Sequence, residues 1–314
     1  MALQAWMPHG GGGAFERHLR GGLDDEIVLT VGKVPPAAGY DVLVAGRPEP
    51  EWIEDQPALR WVLIPFAGVP PATLALLREH PGIGLHNLHH NAAPTAEMAV
   101  ALMLAAAKRI VPLDRALRLG DWRARYDEQD RGLLLEGRRA LVVGRGAIGR
   151  RVERALEGLG MEVVGLGRRD GAPALDRHLP RAHVVVVAVP STEKTRGLFD
   201  QARLAQLPSS AVVVNVSRGD VFDEEALYRA LASNRLGAAG LDVWWHYPPD
   251  EAARASTPPS AHPFGELDNV VLSPHRAGHT DRTEALRAEH LSALLRRAAR
   301  GQPLENGVDL ALGY

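Results

Sequence analysis

The 314-residue chain contains no cysteine, which excludes disulfides, thiol nucleophiles and cysteine-ligated metal together. Lysine is nearly absent: Lys33, Lys108 and Lys194 are the only ones, and the rest of the basic complement is arginine. With heavy use of alanine, glycine and proline, this bias reads as codon usage in a GC-rich genome and carries no function. No excess charge of either sign is present. The net is −2, so nothing draws the chain toward nucleic acid or an anionic membrane. Long apolar runs are missing as well: the longest, 98–107, is ten residues, about half of what a spanning helix needs. The opening residues hold neither a basic n-region nor an apolar h-region, so no secretory signal is expected. A soluble, cytoplasmic protein is the expectation, and the length suggests two domains.

The middle of the chain alternates strand and helix signals. The apolar run 140–143 stops at Gly144-Arg-Gly-Ala-Ile-Gly149, and the helical stretch 150–159 follows, with Val152, Ala155, Leu156 and Leu159 on one face. Further short, continuous apolar runs lie at 161–166, 183–189, 211–216, 237–243 and 269–272, the pattern of parallel strands covered on both faces. Crossover helices are expected at 200–207 and 224–233. Six strands with helices between them describe a doubly wound α/β sheet. The N-terminal part is a looser version, with strands at 26–31, 41–44 and 61–64 and a strand and loop at 84–91. A strong helix at 95–109, led in by Pro94 with Thr95 as its cap, and an amphipathic helix at 282–300 complete the reading. The expected fold is two Rossmann-like doubly wound domains. The dinucleotide-binding domain, 96–281, is inserted in a substrate domain made of 1–95 plus 282–314. Residues 10–13 read as a glycine-rich loop.

Gly144-x-Gly146-x-x-Gly149 follows a strand and opens a helix, the setting a dinucleotide fingerprint requires. The first glycine permits the tight turn, the second lets backbone approach a pyrophosphate, and the third lets helix and strand pack closely. A site selective for NAD ends its second strand in Asp or Glu, about twenty residues on, to hold the ribose 2′-OH. Here the chain reads Leu166-Gly167-Arg168-Arg169. No carboxylate is expected there, and two guanidiniums could grip a 2′-phosphate. NADP(H) is therefore the expected cofactor, with NAD(H) possible.

Three later segments end apolar strands in polar residues, where a doubly wound sheet places its ligands. They are Asn215-Val-Ser-Arg218-Gly219, Gly240-Leu-Asp242-Val243 and Ser273-Pro-His275-Arg-Ala-Gly278. A cation that holds a carboxylate and polarises a carbonyl, with an imidazole that delivers the matching proton, suits hydride transfer to an oxo acid.

On these residues, and on Ala67-Gly68-Val69, 91–97, the Val189-Pro-Ser-Thr-Glu-Lys-Thr-Arg-Gly197 stretch, Leu241-Asp-Val243 and Pro274-His275, the chain resembles the D-isomer-specific 2-hydroxyacid dehydrogenase family over essentially its whole length. The resemblance implies that Arg218 binds and activates substrate, that His275 is the general acid/base, and that Asp242 faces the nicotinamide. It implies that backbone at Ala67, Gly68 and Val69 receives the substrate carboxylate, with Asn91 facing a cleft between the domains. Around the cofactor it implies the turn Gly144, Arg145, Gly146, Ala147, Ile148 and Gly149, then Arg168 and Arg169. Val189, Pro190 and Thr195, then Val216, Ser217 and Gly278, complete that set beside Asp242 and His275. A homodimer formed through the cofactor domain, acting on a small 2-oxoacid or 2-hydroxyacid, is the implied assembly. The Gly167-Arg168 stretch is similar to that of NADP-using glyoxylate/hydroxypyruvate reductases.

One departure stands out. The family pairs its histidine with a glutamate in a DVF-x-x-E-P context, whereas this chain reads Asp242-Val-Trp-Trp-His-Tyr247-Pro248. Tyr247 occupies the glutamate's place and brings no charge near neutrality, so His275 is expected to titrate lower than in glutamate-paired relatives. Formate dehydrogenases of the family also lack that glutamate, and some members are corepressors. Oxidation of a small anion and non-catalytic nucleotide sensing are thus the alternatives. His86, His89 and His90 have a helical ligand spacing, but no cysteine or carboxylate completes a shell, and no metal is expected. Trp244 and Trp245 read as pocket lining or as packing between domains, and 247–263 as a lid or a plain loop.

Overall fold

In the computed structural model, which describes residues 2–10, 13–54, 56–127 and 131–314, contacts divide the chain into two units. These are Met1–Asn91 with His279–Tyr314, and Ala92–Gly278. Among the described residues the first unit holds β1 (Leu3–Met7), α1 (Gly13–Gly21), β2 (Ile27–Val31), β3 (Val42–Val44), β4 (Trp61–Ile64), α2 (Pro71–Glu79) and β5 (Gly84–Asn87). The strands form one parallel sheet in the order β2-β1-β3-β4-β5. The opening residues, which gave no strand signal above, are an interior strand. Their alternation explains it: Leu3, Ala5 and Met7 pack on one face against Phe15 and Leu19 of α1, while Trp6 packs on the other against Tyr40, Leu43 and Val62. Gly11 and Gly12 of the expected loop lie outside the described residues, and Gly13 opens α1.

The second unit begins with α3 (Ala92–Ala107) and α4 (Ile110–Arg118). Thr95 is not the cap of α3. The helix starts three residues earlier, Pro94 sits in its first turn, where a missing N–H is harmless, and Thr95 is buried. Then come β6 (Arg139–Val143), α5 (Gly149–Gly158), β7 (Glu162–Leu166), α6 (Gly171–His178), β8 (Val184–Val187), α7 (Gln201–Leu204), β9 (Val212–Asn215), α8 (Glu224–Ala232), β10 (Ala238–Leu241) and β11 (Val270–Leu272). The sheet order is β11-β10-β9-β8-β6-β7, all parallel. The valines of β8 and β9 are buried along their whole length, because helices cover both faces. The chain steps outward from β6 to β7 and then back across to β8, so the switch point lies between β6 and β8, and ligands of such sheets bind at that point. A last helix, α9 (Thr283–Ala299), returns to the first unit, where Ala288, Leu291 and Leu295 join the cluster of Phe15 and Leu19. Among the described residues no helix is long and apolar enough to cross a membrane.

The crossover helix expected at 200–207 begins one residue late, at Gln201, whereas the one expected at 224–233 begins at Glu224 as expected, and each follows an aspartate. Asp200 and Asp223 are their caps: Asp200 Oδ1 accepts Arg203 N–H at 2.8 Å and Asp223 Oδ1 accepts Ala226 N–H at 2.9 Å. Removing the second cap in Asp223→Ala should lower unfolding free energy by about 1 kcal/mol, with Asp223→Ser retaining most of it. Urea denaturation of the two variants is the check.

Candidate functional site

β6 runs into Gly144, whose φ of +109° is open to glycine at no steric penalty. A Cβ at Gly144 would overlap the Ala188 carbonyl at the end of β8, one at Gly149 would overlap the Gly144 carbonyl, and Gly146 faces open space. The turn is thus pressed against the switch point, and α5 starts directly behind it. No side chain caps α5; Ile148 occupies that position. Arg150 N–H donates to Gly146 O at 3.2 Å and Arg151 N–H to Ile148 O at 2.9 Å, and the helix dipole favours an anion at this end. Across the gap, Val189 and Pro190 follow β8. Thr195 Oγ1 donates to Pro190 O at 2.6 Å and accepts Thr192 N–H at 2.8 Å, which folds that loop on itself. Ala147 O is held by the Arg151 guanidinium at 2.8 Å.

The end of β7 differs from expectation. A carboxylate does stand at the end of β7. Asp170 turns back so that its Oδ2 accepts Gly167 N–H at 2.7 Å, while its own N–H donates to Gly167 O at 3.2 Å. Aspartate favours such local turns because its short side chain reaches nearby backbone. Arg168 and Arg169, both exposed, lie inside this turn. Arg145, beside them, has its guanidinium on the buried carboxylate of Glu153 at 2.9 Å, a pairing that raises its pKa.

Further along the same edge, β9 ends in Asn215, whose Oδ1 accepts Ser217 N–H at 3.0 Å and Ser217 Oγ at 2.8 Å. Its Nδ2 donates to Arg218 O at 2.9 Å. Val216 and Ser217 are buried by this turn and Arg218 is exposed, its guanidinium donating to Ser217 O at 2.6 Å. After β10, Asp242 is 1% exposed. Its Oδ1 accepts Ser273 Oγ at 2.5 Å and Arg276 N–H at 2.9 Å, and its Oδ2 accepts Ala277 N–H at 3.1 Å. These bonds bracket His275, which has a φ of +55°, a conformation that strains any residue with a Cβ and gathers at functional sites. Tyr247 Oη lies 2.9 Å from His275 Nδ1 and accepts Trp244 N–H at 3.2 Å.

The sequence profile of the D-isomer-specific 2-hydroxyacid dehydrogenase NAD-binding domain matches residues 100–277. The chain belongs to this family. It is 31% identical to a D-3-phosphoglycerate dehydrogenase of Archaeoglobus fulgidus over 73% of this chain and 46% of that protein. It is 29% identical to a glyoxylate/hydroxypyruvate reductase B of Pectobacterium atrosepticum over 93% of this chain and 94% of the other. A D-isomer-specific 2-hydroxyacid dehydrogenase from Xanthobacter autotrophicus Py2, solved with NADPH and MES, superposes at a TM-score of 0.80 with 26% identity, covering 99% of this chain and 100% of that one. The chain spans between 41% and 63% of the length of the first curated relatives it matches.

Within the second unit, the tandem tryptophans pack on Phe264. Trp245 stacks on Phe264 at 5.5 Å and Trp244 meets Phe264 edge-on at 6.2 Å, while Trp244 Nε1 donates to Ser273 O at 2.8 Å. The segment that follows is tied down at its far end. Glu224 Oε1 accepts Ser260 Oγ at 2.6 Å and Ala261 N–H at 2.7 Å, and His262 stacks on Tyr228. In the first unit, Ala67, Gly68 and Val69 follow β4 and are partly buried. Asn87 Nδ2, which the sequence reading did not single out, donates to Ala67 O at 2.6 Å and fixes that loop to β5. Its signal was only a polar residue ending a buried strand. Asn91, also partly buried, lies just before α3.

The three spaced histidines do not share one environment. His86 Nδ1 bonds Glu305 O at 2.8 Å, whereas His90 is buried with its Nδ1 unpartnered among the described residues. Burial, then the positive groups Arg287, His290 and His89, push the His90 pKa down to about 4. The unfolded chain holds that proton from near pH 6.5, so the native state is favoured above pH 6.5 and loses this contribution as pH falls toward 4. Unfolding free energy should drop by roughly 2 kcal/mol between pH 7 and pH 4.5 through this residue. Urea titrations at the two pH values should show a smaller drop in His90→Leu.

Proposed function

We propose that this chain transfers hydride between a nicotinamide dinucleotide and C2 of a small 2-oxoacid or D-2-hydroxyacid. The second unit then binds the dinucleotide, and the first offers backbone at Ala67, Gly68 and Val69, with Asn91, to the substrate. One observation carries the reading. The glycine turn after β6, Val189 after β8, Arg218 after β9, Asp242 after β10 and His275 after β11 all follow carboxyl ends of one parallel sheet, the edge at which such sheets bind ligands. The uncapped α5 N-terminus and the glycine cradle fit a pyrophosphate, with Gly144, Gly146 and Gly149 giving backbone room for it.

A bound nicotinamide supplies or accepts the hydride. Arg218 holds the substrate carboxylate and polarises its carbonyl, and stabilises charge that develops on that oxygen. His275 delivers the proton to the same oxygen in reduction and removes it in oxidation. Asp242 holds the His275 loop from behind, and its remaining acceptor capacity serves the nicotinamide side. The names of the relatives support reduction of glyoxylate- or hydroxypyruvate-like substrates, and the formate-oxidising and nucleotide-sensing alternatives are not favoured.

NADP(H) is the preferred cofactor on this reading, with Arg168 and Arg169 as the 2′-phosphate ligands and Asp170 as a charge opposing them. Consumption of NADPH, and separately of NADH, should be followed against glyoxylate, hydroxypyruvate, pyruvate and phenylpyruvate. Turnover favouring NADPH is expected, and Arg168→Ala/Arg169→Ala should raise the KM for NADPH by roughly tenfold or more, which is about 1.4 kcal/mol, with little change for NADH. Cofactor binding without turnover of any oxo acid would overturn the assignment.

A homodimer through the second unit completes the proposal. Ile110 and Leu117 of α4 and the following Leu119, Trp122 and Tyr126 are exposed, Leu119 by 88%, an apolar stretch of the kind that marks a protein interface. Light scattering should report a dimer for the native chain and a monomer for Leu119→Asp/Trp122→Ser.

A further inference from the structure

We propose that Tyr247 fixes the tautomer of His275, placing the neutral ring's hydrogen on Nε2, and is thereby the positioning residue of the proton-transfer group. Its kinetic consequence rests on the function proposed above; the tautomer itself rests on the hydrogen-bond partners of the Tyr247 hydroxyl and their relative donor and acceptor strengths.

A phenol oxygen carries one hydrogen and can accept two. The Trp244 N–H, 3.2 Å away, is a pure donor and takes one acceptor position. His275 Nδ1 lies 2.9 Å away on the other side. Of the two ways to make this contact, the phenol donates to the Nδ1 lone pair, because a phenol O–H is a stronger donor than a neutral imidazole N–H and an imidazole nitrogen a stronger acceptor than a phenol oxygen. Nδ1 then bears no hydrogen and Nε2 does. A glutamate in this place does the reverse. A carboxylate has only acceptors, so it takes a hydrogen from Nδ1 and leaves the Nε2 of a neutral ring bare. The phenol does not substitute for it by ionising, since partial burial raises the Tyr247 pKa, opposed by the Trp244 N–H and Arg218 and assisted by Asp242. Those two charged groups face the pair from the β9 and β10 ends, and Arg276 flanks His275 in its own loop.

The difference bears on each protonation state. The neutral ring with hydrogen on Nε2 can donate to a carbonyl oxygen and so bind an oxo acid, but it cannot take a hydroxyl proton at Nε2. The charged ring gives its Nε2 proton to the carbonyl oxygen while C2 gains hydride from the reduced nicotinamide. The ring is left neutral with its hydrogen on Nδ1. To hold the charged ring at all, the phenol must stop donating and accept the Nδ1 hydrogen with its remaining lone pair, an exchange a carboxylate never makes. Both productive forms are thus depleted relative to a glutamate-paired ring. The overall equilibrium ties the two directions together, so oxidation and reduction are lowered in step.

The test is the nitrogen-15 spectrum of histidine-labelled protein, with the His275 ring assigned by its loss in His275→Asn. At pH 9 the native ring should show a bare Nδ1 and a protonated Nε2, and Tyr247→Glu should invert this. Tyr247→Phe should lose the preference. In parallel, the limb of kcat/KM for oxo-acid reduction that descends with rising pH should move up by about one unit or more in Tyr247→Glu, a tenfold gain at a fixed pH on that limb. It should not move up in Tyr247→Phe. A native ring with its hydrogen on Nδ1, or one unchanged in Tyr247→Phe, overturns the proposal even in an active enzyme. The expected tautomer in a protein that reduces no oxo acid upholds it and overturns the function instead.

Discussion

Asp242 gives both of its carboxylate oxygens to the chain that follows β11, accepting Ser273 Oγ, Arg276 N–H and Ala277 N–H. Burying a carboxylate is expensive unless donors replace its lost water, and three donors from a neighbouring loop do so here. The same bonds settle the conformation of that loop. His275 lies between the bonded residues with a φ of +55°, a strain that persists only where surrounding bonds over-determine it. One buried charge therefore fixes the direction in which the imidazole leaves the backbone, before any side-chain contact is counted.

The rest of the edge follows the same logic by other means. Asn215 holds the Arg218 turn with three side-chain bonds, and Ser191 Oγ and Arg196 Nε both reach Asp220 Oδ2 to tie the loop after β8 to the turn after β9. Trp244 and Trp245 anchor the chain after β10 through Phe264, and Glu224 on α8 holds its far end. Between those anchors Tyr247 meets His275. The parallel sheet brings the strand ends to one edge, and buried polar side chains then fix each loop separately, so residues far apart in sequence keep fixed directions with few bonds between them.

The fold of the second unit was legible because its strands are valine-rich and continuous and its helices carry a clear stripe, signals that depend on burial and little else. The first unit was less so. β1 gave no signal, since Leu3-Gln4-Ala5-Trp6-Met7 alternates between two buried faces and reads as neither an amphipathic strand nor a continuous one. Caps were misjudged by one to three residues where a proline or an aspartate allows two starting points. Arg218 and His275 were visible as candidates at the ends of apolar strands, and Tyr247 only through the family resemblance. That Asp242 faces the His275 loop, and that Asn87 holds Ala67, depends on side-chain directions across strands, which spacing does not encode.

Asp170 shows the same limit acting on cofactor chemistry. Read linearly, the residues ending β7 are two glycines, a leucine and two arginines, and the balance is wholly positive. In space the aspartate three residues on returns to Gly167, while Arg145 is already neutralised by Glu153. The local field at the end of β7 is thus two exposed guanidiniums, Arg168 and Arg169, against one exposed carboxylate. A 2′-phosphate carries close to two negative charges near neutrality, and a 2′-hydroxyl carries none, so the phosphate gains more from each guanidinium and loses more to the carboxylate. The arginines outnumber the carboxylate, and guanidiniums suit forked bonds to phosphate oxygens, which is the physical basis of the NADP(H) preference proposed above. Asp170, fixed through its own turn, narrows the margin that this proposed preference rests on.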